Sequence, residues 1–274
     1  MSQSLSEEAG ARVPLREHIR ELRTRIIRVL LVVTVAIFAA WAVHEQIFTW
    51  LMEPYTRAMT AHHPDVPHYI EYRSLTEPLV VYFKASAVAA LIATIPYIIT
   101  EIWLFIVPGL YREERRMAGA FLFATMVMFY SGVFFCRYLV LDPAVSVLLS
   151  IGAANTNASI MMTEYFGFTT RMLLVFGLVF ELPVVLSFLS FLGIVDYKWL
   201  LKQWRYAVVI MAVVAAVLTP PDPISQTLLL IPLVGLYFVS VGIAFMFARR
   251  REKSALEAAT EDTLEEAPAS DEAP

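Results

Sequence analysis

Six apolar runs, set apart by short clusters of arginine and lysine, constrain this chain more than any other feature. They cover residues 26–48, 79–107, 117–138, 171–195, 206–218 and 224–248. A hydrocarbon layer of about 30 Å takes roughly 20 apolar residues of helix to cross, and offers nothing to an unpaired backbone group. Five runs reach that length. The fifth holds 13 residues and at 1.5 Å per residue extends only about 20 Å. The expected fold class is an all-α membrane protein of six transmembrane helices with a short fifth helix. Either the bilayer thins beside that helix, or the fifth and sixth spans form a partly re-entrant pair.

Composition agrees. The chain is 58% hydrophobic and 17% charged with a mean hydropathy of +0.64, whereas soluble domains are about 45–50% apolar and about 25% charged. Its net charge of −4 hides an uneven distribution. Seven of its 25 acids follow Lys253, leaving 18 against 21 bases in the rest of the chain. Residues 249–274 thus read as a basic, then acidic tail, expected to be disordered. The N-terminal stretch lacks the apolar core of a cleaved leader. Cys136 is the single cysteine, which excludes an internal disulfide and reads as a small buried hydrophobe.

Sixteen of the 21 bases fall in four patches, at 12–28, 112–116, 198–205 and 249–253. Positive charge stays on the cytoplasmic side, so both termini are expected there. Residues 49–78, 139–170 and 219–223 become external loops around a 26–248 transmembrane domain. Residues 1–25 form a cytoplasmic segment in which Leu15, Ile19, Leu22 and Ile26 recur as one apolar stripe. That pattern predicts an amphipathic helix lying at the interface before it turns into the bilayer.

Few residues can carry chemistry. Glu21 lies four residues before Arg25, the spacing of a helical ion pair, and Glu113 and Glu114 read as solvated loop charges. Lys84 and Glu101 sit toward opposite ends of the second run and are expected to snorkel outward. Glu181 is different. Ten residues past Arg171, it lies about 15 Å into the fourth run, where an ionised group costs about 3 kcal/mol unless it faces a cavity or partner. Pro183 beside it is expected to kink the helix. His62, His63 and His68 share one loop without a metal-ligand spacing. No zinc-protease, serine-elbow or phosphate-loop motif occurs, so neither an enzyme nor a cofactor is expected.

Several stretches in order, His18-Ile19-Arg20-Glu21-Leu22-Arg23, Trp103-Leu104-Phe105 through Tyr111, Glu114-Arg115-Arg116, Phe180-Glu181-Leu182-Pro183 and Thr219-Pro220-Pro221-Asp222 with Ser225-Gln226, complete the picture. Together they resemble the TatC family, the multispanning receptor of twin-arginine protein translocation. The resemblance implies a concave, glove-like arrangement with short fifth and sixth helices, in a bacterial-type inner membrane. It implies that Glu21 and Glu114, with Arg23, Phe105 and the additional Glu113, bind the paired arginines of a cargo signal peptide. It assigns Glu181 an intramembrane role, and Pro54, Thr219, Asp222 and Gln226 structural or docking roles toward single-span TatA- and TatB-type partners. A self-assembled core driven by the proton-motive force is the expected function. The competing reading is a proton-coupled small-molecule transporter that uses Glu181.

Overall fold

A computed structural model describes residues 15–62, 70–106, 112–152, 160–218 and 223–265. They are helical almost throughout. α1 (Leu15–Ala42) and α2 (His44–His62) come first, then α3 (Glu77–Ile106) and α4 (Arg112–Phe135). A π-helical turn (Cys136–Val140) joins α4 to α5 (Leu141–Gly152). α6 (Met162–Val179), α7 (Leu182–Phe191), α8 (Tyr197–Lys202), α9 (Trp204–Leu218) and α10 (Pro223–Glu265) complete the chain. Five stretches are long and apolar enough to cross a membrane: Ile19–Ala42, Glu77–Ile106, Met117–Ser150, Met162–Phe191 and Leu229–Met246. The shorter Trp204–Val217 makes a sixth. Short as expected, α9 reaches about 22 Å at 1.5 Å per residue.

Five boundaries differ from those expected of the sequence. α1 runs without an elbow from the amphipathic stripe into the apolar stretch, because no glycine or proline interrupts it. The segments at 49–78 and 139–170 are not wholly loops, for α2 continues to His62 and the third span passes through the π turn and α5 to Gly152. Pro54 is accommodated inside α2, and Pro143 lies in α5, three residues beyond the π turn. The fourth span starts at Met162 and is interrupted at Phe180–Glu181. The tail is helical to Glu265: its Ala-, Glu- and Leu-rich sequence favours helix, and extending an existing helix carries no nucleation cost.

The described residues divide into two compact units. One comprises 15–56, 70–126 and 160–170. In it α1 packs along α3, which turns the small buried residues Ala85, Ser86 and Ala90 inward as membrane helices do where backbones approach. The outer side of α1, including Leu30, Val35 and Phe38, stays exposed. Glu77 ties the start of α3 to the start of α6. One carboxylate oxygen accepts from the Thr163 N–H (3.0 Å) and hydroxyl (2.7 Å), the other from the Arg73 N–H (2.6 Å). Tyr165 donates to the Leu51 carbonyl (2.7 Å) just before Pro54, and Phe48 stacks on Phe166 at 4.7 Å.

The other unit comprises 57–62, 127–152, 171–218 and 223–265. α10 is its spine, packing against α5, α7, α8 and α9. α4 meets α6 across two glycines. A Cβ on Gly132 would lie 2.6 Å from the Phe176 carbonyl and 2.7 Å from the Phe180 Cβ, and one on Gly177 would lie 2.6 Å from the Phe129 ring. These helices therefore touch backbone to side chain, and even one added methyl has nowhere to go. Gly132→Ala is expected to destabilise the protein by about 1–3 kcal/mol, as overpacking does, and to lower the thermal unfolding midpoint in detergent. An unchanged midpoint would refute this account of the contact.

Candidate functional site

The site begins with two residues one turn apart on α1. Arg25 donates through both Nη2 (2.6 Å) and Nε (3.1 Å) to a single oxygen of Glu21, Oε1. Its remaining nitrogen, Nη1, donates to Glu101 Oε2 on α3 at 2.7 Å, and Nη2 also reaches the Leu104 carbonyl at 3.3 Å. Glu101 Oε1 in turn accepts from the Tyr97 hydroxyl, one turn earlier on α3, at 3.0 Å. A cation thus lies between two carboxylates, one from each helix of the α1–α3 pair.

Exposure separates the two acids. The Glu101 side chain is 9% exposed and Arg25 17%, whereas Glu21 is 39% exposed. Burial of Glu101 is tolerable because a guanidinium and a phenol satisfy both its oxygens; a charge left alone there would carry its full desolvation cost. Glu21 Oε2 has no bond among the described residues, so the outer carboxylate retains one open acceptor. Arg20, Arg23 and Arg28 are exposed, Arg28 close enough to Glu101 to act on its charge. Beside the triad lies an apolar groove of about 270 Å³ bordered by Leu22, Ile26, Ile102 and Phe105, with Arg25 and Glu101 at its edge.

Sequence expectations fare unevenly here. The helical pair of Glu21 with Arg25 is present, and Phe105 borders the groove beside it. Glu101 does not snorkel, since it lies in the helix interface and is held by Arg25. Its signal was available: a carboxylate inside an apolar helix, with tyrosine one turn before it, needs a partner. Glu113 and Glu114 are the second and third residues of α4. There an acid complements the helix dipole, though their side chains lie outside the described residues. α4 is held to the end of α3 by the Trp103–Phe121 stack at 6.2 Å.

The remaining candidates belong elsewhere. Pro54 is buried within α2. Glu181 stands just before α7 without capping it, and Pro183 beside it interrupts the hydrogen-bond ladder. Its two oxygens are buried without a hydrogen-bond partner; the Phe129 backbone faces it without completing a bond. Gln226 donates to the Ala212 carbonyl at 3.3 Å, tying α10 to α9. Thr219 and Asp222 lie outside the described residues, as do His63 and His68; His62 bonds Ser146 at 2.7 Å.

Sequence reasoning also passed over Arg137, which is fully buried in the π turn. It lies 5.2 Å from the Tyr138 ring centroid and 3.6 Å from Asp142 Oδ1, while Asp142 Oδ2 accepts from Arg57 at 2.9 Å. The Leu141 N–H donates to the Cys136 carbonyl, the five-residue reach of a π turn. An arginine five residues before an aspartate was the available clue.

The family described as "Sec-independent protein translocase protein (TatC)" matches residues 17–232. A TatC protein from Koribacter versatilis is 34% identical over 258 residues, 93% of this chain and 94% of that one. TatCy from Bacillus subtilis is 32% identical over 241 residues, covering 88% and 92%. A crystal structure of the twin-arginine translocase receptor TatC aligns with a TM-score of 0.75 at 29% identity, over 85% of this chain and all of that one.

The α1–α3 triad makes a definite claim on stability. Arg25→Gln strands the buried Glu101, so it is expected to lower the unfolding midpoint more than Arg25→Gln combined with Glu101→Gln. A double-mutant cycle should show non-additivity of about 1 kcal/mol or more. Additive effects would mean that the two side chains do not support each other.

Proposed function

Because this chain belongs to the TatC family of Sec-independent protein translocase proteins, we propose that the exposed side of its α1–α3 triad receives the twin-arginine signal of cargo proteins. The protein is a multi-pass membrane subunit of a translocase and not an enzyme. The observation that carries the receptor reading is Glu21: its side chain is 39% exposed, its Oε1 is committed to Arg25, and its Oε2 accepts no bond among the described residues. A cargo guanidinium can engage that oxygen without first displacing the internal cation. Glu114, at the start of α4, supplies the second carboxylate, with Glu113 beside it.

The charges divide labour with the groove. Charge-assisted hydrogen bonds contribute about 1.5–3 kcal/mol each, and a planar guanidinium fork meets a carboxylate in a way an ammonium cannot. That distinguishes Arg-Arg from Lys-Lys but supplies only part of the affinity. The apolar groove at Phe105 offers the rest by burying the signal's hydrophobic segment. Arg25 poses no barrier to an incoming cation, since two carboxylates already neutralise it. Arg23 remains exposed and free to orient the bound segment.

In this reading both termini are cytoplasmic, the membrane is a bacterial-type inner membrane, and single-span TatA- and TatB-type subunits complete the complex. Positive charge concentrated at 12–28, 112–116, 198–205 and 249–253 supports that orientation. Glu181 acts after binding. A buried carboxylate without a hydrogen-bond partner is costly within a span, which supports a role in the transport step.

Glu21→Gln with Glu114→Gln is expected to abolish photo-crosslinking of a twin-arginine peptide while membrane insertion stays normal. Undiminished crosslinking would sink the assignment. Glu181→Ala should leave peptide binding intact and stop export; normal export by that variant would reduce Glu181 to a structural residue. Substrate-dependent proton flux through liposomes holding this protein alone would favour the transporter reading instead.

A further inference from the structure

One cavity in the second unit belongs to none of the sites above. About 730 Å³ in volume, it is a cleft bordered by α6 and α7 on one side and α8, α9 and α10 on the other. Its walls are apolar through Leu182, Leu186, Ile210 and Val214, and its polar groups collect at the α8 end, at Trp199 and Gln203. Tyr237 lies in the wall with its hydroxyl committed to the Leu200 carbonyl at 2.6 Å. The Gln203 side-chain amide has no hydrogen-bond partner among the described residues.

Cations ring that polar end. Lys198, Lys202 and Arg205 are all exposed and make no ion pair among the described residues. Lys198 and Lys202 each adjoin a residue that lines the cleft. Asp196 is the one carboxylate between 190 and 218, so the rim carries a net positive charge. Arg205 lies 5.8 Å over the Trp204 ring and Lys198 5.9 Å over Tyr197, and aromatic residues of this kind settle at the headgroup level of a bilayer.

Length decides the occupant. From Gln203 to Val214 the cleft follows α9 for about 16 Å at 1.5 Å per residue, which equals the depth of one leaflet, half of a hydrocarbon core of about 30 Å. A membrane-spanning helix of a partner needs roughly 20 residues and the full thickness, so the cleft is too short for one. We infer that this cleft binds one anionic glycerophospholipid, with an acyl chain along α9, the ester region at Gln203 and the phosphate among Lys198, Lys202 and Arg205. Anionic headgroups gain from each nearby basic residue, whereas a zwitterionic lipid gains only the chain burial. This inference does not depend on the receptor reading.

The test reconstitutes the full chain in phosphatidylcholine vesicles carrying brominated acyl chains on either phosphatidylglycerol or phosphatidylcholine, at equal bromine content. Bromine quenches tryptophan on contact. The chain has five tryptophans, and subtracting the signal of Trp199→Phe isolates Trp199. Brominated phosphatidylglycerol is expected to quench Trp199 several-fold more strongly than brominated phosphatidylcholine. Lys198→Gln/Lys202→Gln/Arg205→Gln should erase that preference, and Ala207→Leu, which fills the cleft beside its lining residues, should reduce quenching by both lipids. Equal quenching in the unmodified protein, a preference that survives the triple variant, or no quenching by either lipid would overturn the proposal.

Discussion

A guanidinium held between two carboxylates organises the first unit of this protein. Arg25 joins α1 to α3 through Glu101 and, by the same group, holds Glu21 in place on its own helix. In a low-dielectric interface each of these charges alone would be expensive to bury. Together, with Tyr97 on the remaining oxygen of Glu101, they satisfy one another and leave one acceptor outward. The arginines around Glu21, which by simple charge counting should repel a cationic cargo, divide into one internal partner and several exposed groups.

Where the helices depart from ideal geometry, polar side chains accompany the departure. The π turn at Cys136–Val140 carries buried Arg137 beside Asp142. The interruption before α7 carries Glu181, with Pro183 removing a backbone donor. A hydrocarbon environment permits irregular backbone only where protein groups or a cavity take up the freed bonds, so such points mark where chemistry can enter an otherwise uniform bundle. The α8–α9 junction fits the same pattern: a short helix ends, cations gather, and an apolar cleft opens beside them.

Much of this was legible in sequence because membrane folding is dominated by one local variable. Apolar runs of the right length announced the spans, α9 was recognisably short, and the four-residue spacing of Glu21 and Arg25 announced their pair. The boundaries were less legible where composition resembles a loop but the backbone stays helical, as through Pro54 in α2 and along the Ala- and Glu-rich stretch to Glu265. Proline and charge lower helix propensity by amounts that packing, or elongation from an existing helix, can offset.

By itself the sequence determined the class of protein, the number of spans and the residues able to bear charge, since hydrophobicity and helical period act over a few turns of chain. Only tertiary structure decided which charges meet. Arg25 and Glu101 stand 76 positions apart, and no local pattern shows that a carboxylate near the end of α3 will be buried against α1. The packing of those two helices makes that pairing, because a buried charge must find its opposite wherever the fold places it.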